Sequence, residues 1–292
     1  MHIFFATDGS ASAHSAEQVL ATFPFAETPR LTIATVCPAP DLHSIQSDVT
    51  APVTSMLEHC RTEAAKLLTD TAERCKSWTP KIDRLLLDGH PAEELLKAID
   101  RLYPDFVVVG ARGLGAVKRM LLGSVSERIA KHASCSVLVI HPRDGNTRIR
   151  SIVAAYDGSP AAAAAIDRLA ELPLGLEHSV HLLGVAETMQ VYGTETMLEG
   201  AGALEVDRQA VAQRLQLVAE RLRGSAGTVA SEVRTSSDVA GAILDAAERH
   251  HADLIVLGSR GKSLWERFLL GSVTVRVLHH APCSVWVERH RT

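Results

Sequence analysis

The chain carries one segment twice, and this duplication constrains its fold more than any other feature. The stretch "GARGLGAVKRMLLGSV" at 110–125 returns as "GSRGKSLWERFLLGSV" at 258–273, each directly after an apolar run, and a shift of 148 residues makes 16 of the 31 positions from 110 to 140 identical. A shift of 149 residues aligns "ATDGS" at 6–10 with "AYDGS" at 155–159. We therefore predict two tandem domains, residues 1–143 and 149–290, joined near the polar stretch "RDGNTR" at 143–148.

Each copy alternates short apolar runs with longer segments of helical composition. The runs are 3–6, 31–36, 82–87, 106–109 and 137–140 in the first copy and 152–155, 181–185, 229–233, 254–257 and 285–287 in the second. Strands that alternate with helices form a parallel sheet covered on both faces. The predicted fold class is therefore α/β, with two tandem doubly wound domains that each contain a five-stranded parallel sheet flanked by helices. Ligands of such sheets bind beyond the carboxyl ends of the strands, where the strand order reverses.

The second helix of the second copy shows a clear apolar stripe. The stripe is formed by Leu204, Val211, Leu215, Val218 and Leu222, and Gly224 follows at a position typical of a C-terminal cap. We interpret the stripe as core, with no cofactor implied.

Composition and charge exclude several classes of partner. A formal charge of -4 and an aromatic content of 4% leave neither a basic footprint for nucleic acid nor platforms for stacking bases. No apolar run approaches the roughly 20 residues of a membrane helix, and "MHIFFATDGS" lacks the features of a signal peptide. We therefore expect a cytoplasmic protein with no nucleic-acid or membrane partner.

Cysteine and histidine usage indicates neither a disulfide framework nor a metal centre. Five cysteines without a C-x-x-C pair fit a reducing compartment. Cys135 and Cys283 occupy equivalent places before an apolar strand, which predicts small buried hydrophobic residues without a redox role. The 14 histidines show no ligand spacing with cysteine or carboxylate, so no metal site is predicted.

The glycines of the repeated segment indicate an anion site. A glycine after a strand permits positive φ and lets backbone amides approach a ligand, and we predict this for Gly110, Gly113 and Gly123. A helical segment follows from Ser124 to about His132, so that free amides and the positive end of the helix dipole converge at its start. The alternative is a plain turn with an ordinary serine N-cap.

Two familiar phosphate motifs do not fit this segment. "GSRGKS" ends like a P-loop, but that motif requires glycine where Val256 stands, and the first copy has Leu114 in place of Lys262. The G-x-G-x-x-G fingerprint of dinucleotide-binding proteins, started at Gly113, reaches Lys118 instead of glycine. A different phosphate-binding pattern must therefore explain the repeat.

The spacing that fits both copies is Gly110-x2-Gly113-x9-Gly123-Ser124 and its repeat from Gly258, with Asp8 and Asp157 after the first strand of each copy. This resembles the universal stress protein family, whose ATP-binding members carry G-x2-G-x9-G-[ST] after the fourth strand and an Asp at the end of the first. The resemblance covers essentially the whole chain as two tandem domains. It implies an adenine nucleotide alpha hydrolase-like fold that binds ATP, with or without Mg²⁺, and forms a homo-oligomer such as a homodimer.

The resemblance also implies a role for each motif residue. Asp8 and Asp157 would contact the adenosine part, Val36 and Val185 the adenine edge, the first two glycines of each motif the sugar and phosphate side, and the Gly-Ser-Val helix starts the phosphates. The implied nucleotide-binding set is Thr7, Asp8, Val36, Gly110, Arg112, Gly113, Gly123, Ser124, Val125 and Ser126 in the first copy and Tyr156, Asp157, Val185, Gly258, Arg260, Gly261, Gly271, Ser272, Val273 and Thr274 in the second.

Several roles stay open at this level. A carboxylate accepts well from ribose hydroxyls, yet "DGS" also fits a turn that caps helix one. The arginines that recur in both loops, Arg112, Arg119, Arg260 and Arg267, could neutralise phosphate, lie in solvent or reach a partner chain. The segment 88–91, "DGHP", becomes "SSDV" at 236–239 in the second copy. We expect this change to shape the edge of the cleft differently but to lie away from the crevice between strands one and four.

The function expected from these features is nucleotide binding in a stress response. Phosphoryl transfer needs metal ligands and a base at defined positions, and no such set is visible in either copy. We therefore predict no catalytic residues and at most slow ATP hydrolysis, with ATP as ligand and regulator. The alternatives are a partner-binding scaffold whose loops are empty and a slow ATPase or phosphotransferase.

Overall fold

The computed structural model describes residues 1–38, 50–114, 122–142, 147–187, 197–261 and 270–289. The chain divides into two compact units. The first unit comprises Met1–Ala21 with Glu27–Asp144, and the second comprises Thr22–Ala26 with Gly145–Thr292. Each unit contains one copy of the repeated segment.

The first unit is a parallel sheet whose strands alternate with helices. In chain order its described elements are β1 (His2–Ala6), α1 (Ala11–Thr22), β2 (Arg30–Cys37), α2 (Thr50–Cys75), β3 (Ile82–Asp88), α3 (Pro91–Leu102), β4 (Phe106–Gly110), α4 (Ser124–His132) and β5 (Ser136–Ile140). The strands lie in the order β3-β2-β1-β4-β5, and all of these neighbours pair in parallel.

The second unit repeats this arrangement. Its described elements are β6 (Ser151–Ala155), α5 (Pro160–Ala170), β7 (Gly175–Glu187), α6 (Met197–Leu222), β8 (Ala226–Ser236), α7 (Val239–Arg249), β9 (Leu254–Gly258), α8 (Ser272–His280) and β10 (Ser284–Glu288). The strands lie in the order β8-β7-β6-β9-β10, again with parallel pairing. The predicted α/β class with two doubly wound five-stranded sheets is therefore confirmed for the described residues.

The central strands are continuous apolar runs because helices cover both faces of the central part of each sheet. Ile3, Phe4 and Phe5 are fully buried although successive side chains point to opposite faces. Every residue of β9 is buried, whereas β3 and β8 contain only half-buried and exposed residues. Central strands therefore lie in continuous core, while β3 and β8 form an edge of their sheets.

The apolar stripe of α6 packs into the core as predicted. Val211, Leu215, Val218 and Leu222 are all buried, and Gly224 adopts a φ of 98°, the left-handed conformation of a helix end. Leu204 belongs to the helix, but its side chain lies outside the described set. None of the described helices has the length and apolar character that a membrane crossing requires.

Candidate functional site

The strand order of each unit reverses between the first strand and the fourth. In the first unit β1 pairs with β2 on one side and with β4 on the other, and Ala6 faces Val109 across the β1–β4 pair. In the second unit β6 holds the same position between β7 and β9. The loops after these strands meet at the carboxyl ends of the strands, where doubly wound proteins bind their ligands.

The loop after β6 is a turn closed by Asp157. Its Oδ1 accepts a hydrogen bond from the Ser159 amide at 2.9 Å, and Gly158 between them has a φ of 82°. The N-cap of α5 is Ser159, whose hydroxyl accepts from the Ala162 amide at 3.2 Å. Asp157 is therefore a turn residue but not the helix cap, and its exposed carboxylate keeps acceptor capacity for a ligand hydroxyl.

The glycine that ends the fourth strand of each unit allows a helix to pack closely against it. A Cβ built on Gly258 would lie 2.7 Å from the backbone nitrogen of Ala162, and one on Gly110 would lie 2.6 Å from the Ser12 carbonyl carbon. Both distances are shorter than any real Cβ contact, so these glycines let the first turn of α5 or α1 rest on the strand end. The prediction of positive φ at the motif glycines is wrong, because positive φ in this region occurs at Gly9 and Gly158.

The second motif glycine makes room for the aspartate. A Cβ on Gly261 would lie 2.9 Å from Asp157 Oδ2, and a Cβ on Gly113 would lie 2.6 Å from Asp8 Oδ2. The carboxylate therefore rests directly against the loop backbone in each unit. A side chain at this glycine would push the carboxylate out of its turn.

The third motif glycine is the N-cap of the helix, and a side chain there would crowd none of the described atoms. Gly271 is the N-cap of α8, with extended φ and ψ and no side-chain cap. Beyond its chain neighbours, the nearest described atom to a Cβ there would be Arg260 Cα at 3.6 Å. Ser272 lies one residue inside the helix, so the alternative of a serine N-cap is wrong. The first amides of α8 lack intrahelical acceptors, and among the described residues the N-cap supplies no side-chain hydrogen bond to them. This is the arrangement of an anion site.

The hydroxyl at the third helix position has a structural partner. Thr274 Oγ1 donates to the Gly258 carbonyl at 3.0 Å, and Ser126 Oγ donates to the Gly110 carbonyl at 2.6 Å. These bonds tie the helix start to the end of the fourth strand. The backbone amides of these residues, and not their hydroxyls, are therefore the groups best placed for an anion.

A cavity of about 750 Å³ lies in the second unit at the ends of these strands. Its described wall contains all ten residues predicted for the second copy, namely Tyr156, Asp157, Val185, Gly258, Arg260, Gly261, Gly271, Ser272, Val273 and Thr274. Tyr156 and Val185 supply an apolar side, and Arg260 lies between the aspartate turn and the helix start in sequence. The structure thus brings the ten predicted residues together around one space.

Sequence reasoning missed two arginines on the same wall, Arg214 and Arg276. Arg276 pairs with both carboxylate oxygens of Asp238 at 2.6 and 2.8 Å, and Asp238 also caps α7 by accepting from the Gly241 amide at 2.9 Å. The bond from the Gly241 amide and the charge of Arg276 lower the pKa of Asp238. No local sequence pattern identifies these arginines as site residues, because Arg214 lies on α6 and Arg276 on α8, and the two helices come together only in the folded unit.

One expectation about this wall is wrong. Ser237, Asp238 and Val239 of the "SSDV" segment line the cavity, because the end of β8 and the start of α7 reach the same edge as the motif loops. Val211 of the core stripe also lines the cavity, although it is buried. An apolar stripe on α6 therefore serves both the core and the cavity wall.

The first unit has the same framework of hydrogen bonds. Ser10 N donates to Asp8 Oδ1 at 2.9 Å, and Ser10 Oγ donates to the Arg112 carbonyl at 3.0 Å. The corresponding bonds of Ser159 to Asp157 and Arg260 measure 2.9 and 3.1 Å. Gly123 N donates to Ala111 O at 2.7 Å, and its counterpart Gly271 N donates to Ser259 O at 2.9 Å.

The first unit differs in the surroundings of its aspartate. Asp8 Oδ2 accepts from the Leu114 amide at 3.0 Å. Leu67 of α2 lies over the turn, with Cδ1 3.3 Å from the position of a Cβ on Gly9. When α2 and α6 are aligned on their last residues, Leu67 takes the place of Arg214. The first site therefore has a more apolar wall at this point than the second.

The remaining predicted residues of the first unit lie at the same strand ends. Thr7 follows β1, and its amide donates to the Ala34 carbonyl of β2 at 2.9 Å, while Val36 is the next-to-last residue of β2 and is half-buried. Ser124 and Val125 open α4 directly after its N-cap Gly123. Arg119 and Arg267 lie outside the described residues, so their predicted alternatives stay predictions.

Comparison with known sequences identifies a family. A sequence model of the universal stress protein family matches residues 1–141 and residues 148–289. Universal stress protein Rv2005c of Mycobacterium tuberculosis is 32% identical over 197 residues, which are 63% of this chain and 62% of that protein. Universal stress protein MJ0531 of Methanocaldococcus jannaschii is 36% identical over 83 residues, 28% of this chain and 49% of the relative. These matches thus span about three fifths or less of the relatives' length.

Comparison with solved structures supports the same fold. A universal stress protein from Archaeoglobus fulgidus superposes with a TM-score of 0.63 at 21% identity, over 99% of this chain and 98% of that one. A functionally unknown protein, PA1789 from Pseudomonas aeruginosa, gives a TM-score of 0.61 at 12% identity over 98% of this chain and 92% of that one. At these identities the likeness concerns the fold alone.

Proposed function

We propose that this chain, which belongs to the universal stress protein family, binds one ATP molecule in each of its two units and uses the nucleotide as a ligand and regulator. The observation that carries the proposal is the cavity of the second unit, whose wall contains all ten predicted residues. Its volume of about 750 Å³ lies within the range of small-molecule sites, roughly 300–1,000 Å³.

The chemistry of the wall matches the parts of an adenine nucleotide. Tyr156 and Val185 supply apolar surface for a base, and the Asp157 carboxylate supplies an acceptor for sugar hydroxyls. The uncapped start of α8 supplies amides and a positive dipole end for phosphate. Arg260 and Arg214 add positive charge on the same wall. A polyanion with a neutral, flat end fits this distribution of groups.

The described wall is poorly suited to phosphoryl transfer. Its described carboxylates are Asp157 and Asp238. Asp157 is held in its turn by the Ser159 amide, and the lowered pKa of Asp238 makes that carboxylate a weaker base. We therefore propose regulation by bound nucleotide, with at most slow hydrolysis. We also propose that the protein acts in the cytoplasm as a homo-oligomer. The nucleotide would bind with or without Mg²⁺.

The intact, nucleotide-stripped chain is expected to bind ATP with a stoichiometry of about two, because the two sites share their hydrogen-bond framework and act independently. The paired change Asp8→Ala with Gly123→Asp is expected to lower this to about one, and so is Asp157→Ala with Gly271→Asp. Titration calorimetry measures the stoichiometry directly.

Two controls separate this proposal from its alternatives. Mass spectrometry of material released from the freshly purified chain should detect an adenine nucleotide, and a chain that carries none and takes up none would be a scaffold. A phosphate-release assay with Mg²⁺ should show turnover far slower than nucleotide exchange. Sustained rapid turnover would make the chain an ATPase and contradict the proposal.

Breaking the Arg276–Asp238 pair is expected to strengthen ATP binding in the second unit. In Asp238→Ser the serine still offers a cap oxygen to the Gly241 amide, while Arg276 is released toward the cavity that it lines. The pair is solvent-exposed and such pairs are weak, so the gain in affinity should be about two- to fivefold. Calorimetry on the Asp8→Ala, Gly123→Asp background reports this site alone.

The matched control is Arg276→Ala on the same background. It removes the same ion pair without releasing a cation, and affinity should fall slightly or stay constant. If Asp238→Ser and Arg276→Ala both weaken binding to the same extent, Arg276 acts only through its pairing with Asp238 and the predicted gain is refuted.

A further inference from the structure

Two cysteines that are distant in sequence meet beside the first site. Cys37 is the last residue of β2, directly after Val36, and Cys60 lies on α2. Their Sγ atoms are 2.6 Å apart across 23 residues of sequence. Cys37 is 1% exposed, whereas Cys60 is half-buried. Both are thiols in this structure. The number and spacing of the cysteines in the sequence did not indicate that these two lie in contact.

We propose that Cys37 and Cys60 are an oxidation site, at which a hydroperoxide converts the two thiols into a disulfide that links β2 to α2. A disulfide bond is about 2.05 Å long, so the sulfurs need to move by only about half an ångström to bond. The two segments are already held in place by the sheet and by the packing of α2 on β2. Bond formation therefore requires only a small movement of the two sulfurs.

The reaction balances with the hydroperoxide as the sole oxidant. The Cys60 sulfur attacks the terminal peroxide oxygen, the O–O bond breaks, and the products are a Cys60 sulfenic acid and an alcohol, or water when the oxidant is hydrogen peroxide. The Cys37 sulfur then attacks the Cys60 sulfur, the S–O bond breaks, and the hydroxyl leaves as water with the Cys37 proton. Two thiols lose two electrons, and the peroxide gains them.

Burial decides the order of these steps. Burial and the adjacent Cys60 raise the pKa of Cys37 to about 11, so Cys37 remains protonated at neutral pH and meets little solvent. Cys60 is the accessible partner and is the sulfur that encounters the peroxide. In a reducing compartment the resulting disulfide is transient, which suits a reversible response to oxidant.

The cross-link lies beside the first nucleotide site. Leu67 is two helical turns from Cys60, on the same face of α2, and lies over Gly9 of the aspartate turn. A bond at Cys60 would anchor this face of α2 to the end of β2. This consequence rests on the proposed function, and we expect the oxidised chain to release ATP from the first site about threefold more slowly, since a restrained wall is pre-organised.

Disulfide formation is tested on the full chain without nucleotide. Treatment with hydrogen peroxide should lower the intact mass by two hydrogens and the count of alkylatable thiols from five to three, the cysteine count of five less two. Peptide mapping should find Cys37 joined to Cys60, and a thiol reductant should restore both. In Cys37→Ser, Cys60 should instead accumulate as a sulfenic acid that dimedone traps, and Cys60→Ser should form no internal disulfide.

A control variant guards against a general effect of cysteine removal. Cys75 is buried on the same helix, and burial raises its pKa to about 12, so Cys75→Ala should still form the Cys37–Cys60 bond. Mapping that finds both cysteines as thiols after the peroxide has oxidised methionines would overturn the proposal. Oxidation to disulfides between chains would overturn it as well.

The effect on the first site is measured separately. The Asp157→Ala, Gly271→Asp background leaves only that site, and release of a fluorescent ATP analogue is compared before and after oxidation. Equal release rates in a chain whose disulfide has been mapped would refute the coupling to the site. Absence of analogue binding in the reduced chain would refute the proposed function, while the mass measurement would still decide the disulfide.

Discussion

Gly271→Asp is expected to weaken ATP binding in the second unit at least 100-fold, about 2.7 kcal/mol, while leaving the unit folded. The added carboxylate would lie at the uncapped start of α8, where it would block the amides and repel phosphate. The fold should persist because the nearest described atom to a Cβ at this position, Arg260 Cα, lies 3.6 Å away. Calorimetry on the Asp8→Ala, Gly123→Asp background measures the affinity, and circular dichroism measures the fold.

The first unit offers the same test at Gly123. A Cβ there would approach the Ala111 carbonyl oxygen at 3.4 Å, an ordinary contact, so Gly123→Asp should likewise silence its own site without unfolding. Retention of ATP affinity within about twofold in either variant, well under 1 kcal/mol, would mean that the helix start is not the phosphate site. A loss of affinity at both sites from one substitution would contradict their independence.

Gly258→Ala is expected to destabilise the second unit by about 3 kcal/mol, near the upper end of overpacking effects. The new methyl would lie 2.7 Å from the Ala162 nitrogen and 2.8 Å from the Ala161 carbonyl carbon, both backbone atoms of α5. Either β9 or the first turn of α5 would have to move. Urea unfolding followed by circular dichroism gives the change in free energy of unfolding.

Gly271→Ala provides the matched control, since it adds the same methyl to a glycine of the same motif. Its Cβ would make ordinary van der Waals contacts, with Arg260 Cα at 3.6 Å, and its φ of -63° suits alanine, so its stability should change by no more than about 0.5 kcal/mol. If the two alanine variants were equally stable, the close packing of Gly258 on α5 would not constrain the motif.

These two substitutions separate roles that look alike in the sequence. The three spaced glycines of each copy share a pattern, and their spacing alone suggests that all of them admit backbone amides to a ligand. In the structure, the absence of a side chain at Gly258 lets α5 pack against the strand end, and its absence at Gly261 leaves room for the Asp157 carboxylate. A side chain at Gly271 would crowd none of the described atoms. The difference lies in which neighbours approach each Cα. The neighbours of Gly258 and Gly261 belong to α5 and to the turn before it, about 100 residues earlier in the chain.

The sequence by itself determined the duplication, the ten strands and the position of the helix starts, because these depend on repeats, apolar runs and caps that are local. The family resemblance of its motifs also implied ten of the residues that line the cavity of the second unit. Only the tertiary structure decided that Arg276 meets Asp238 across 38 residues, that Val211 of the core stripe faces the cavity, and that Cys37 touches Cys60. Each of these contacts joins separate elements, and the distance between two elements is set by the packing of the sheet and its helices and not by either local pattern.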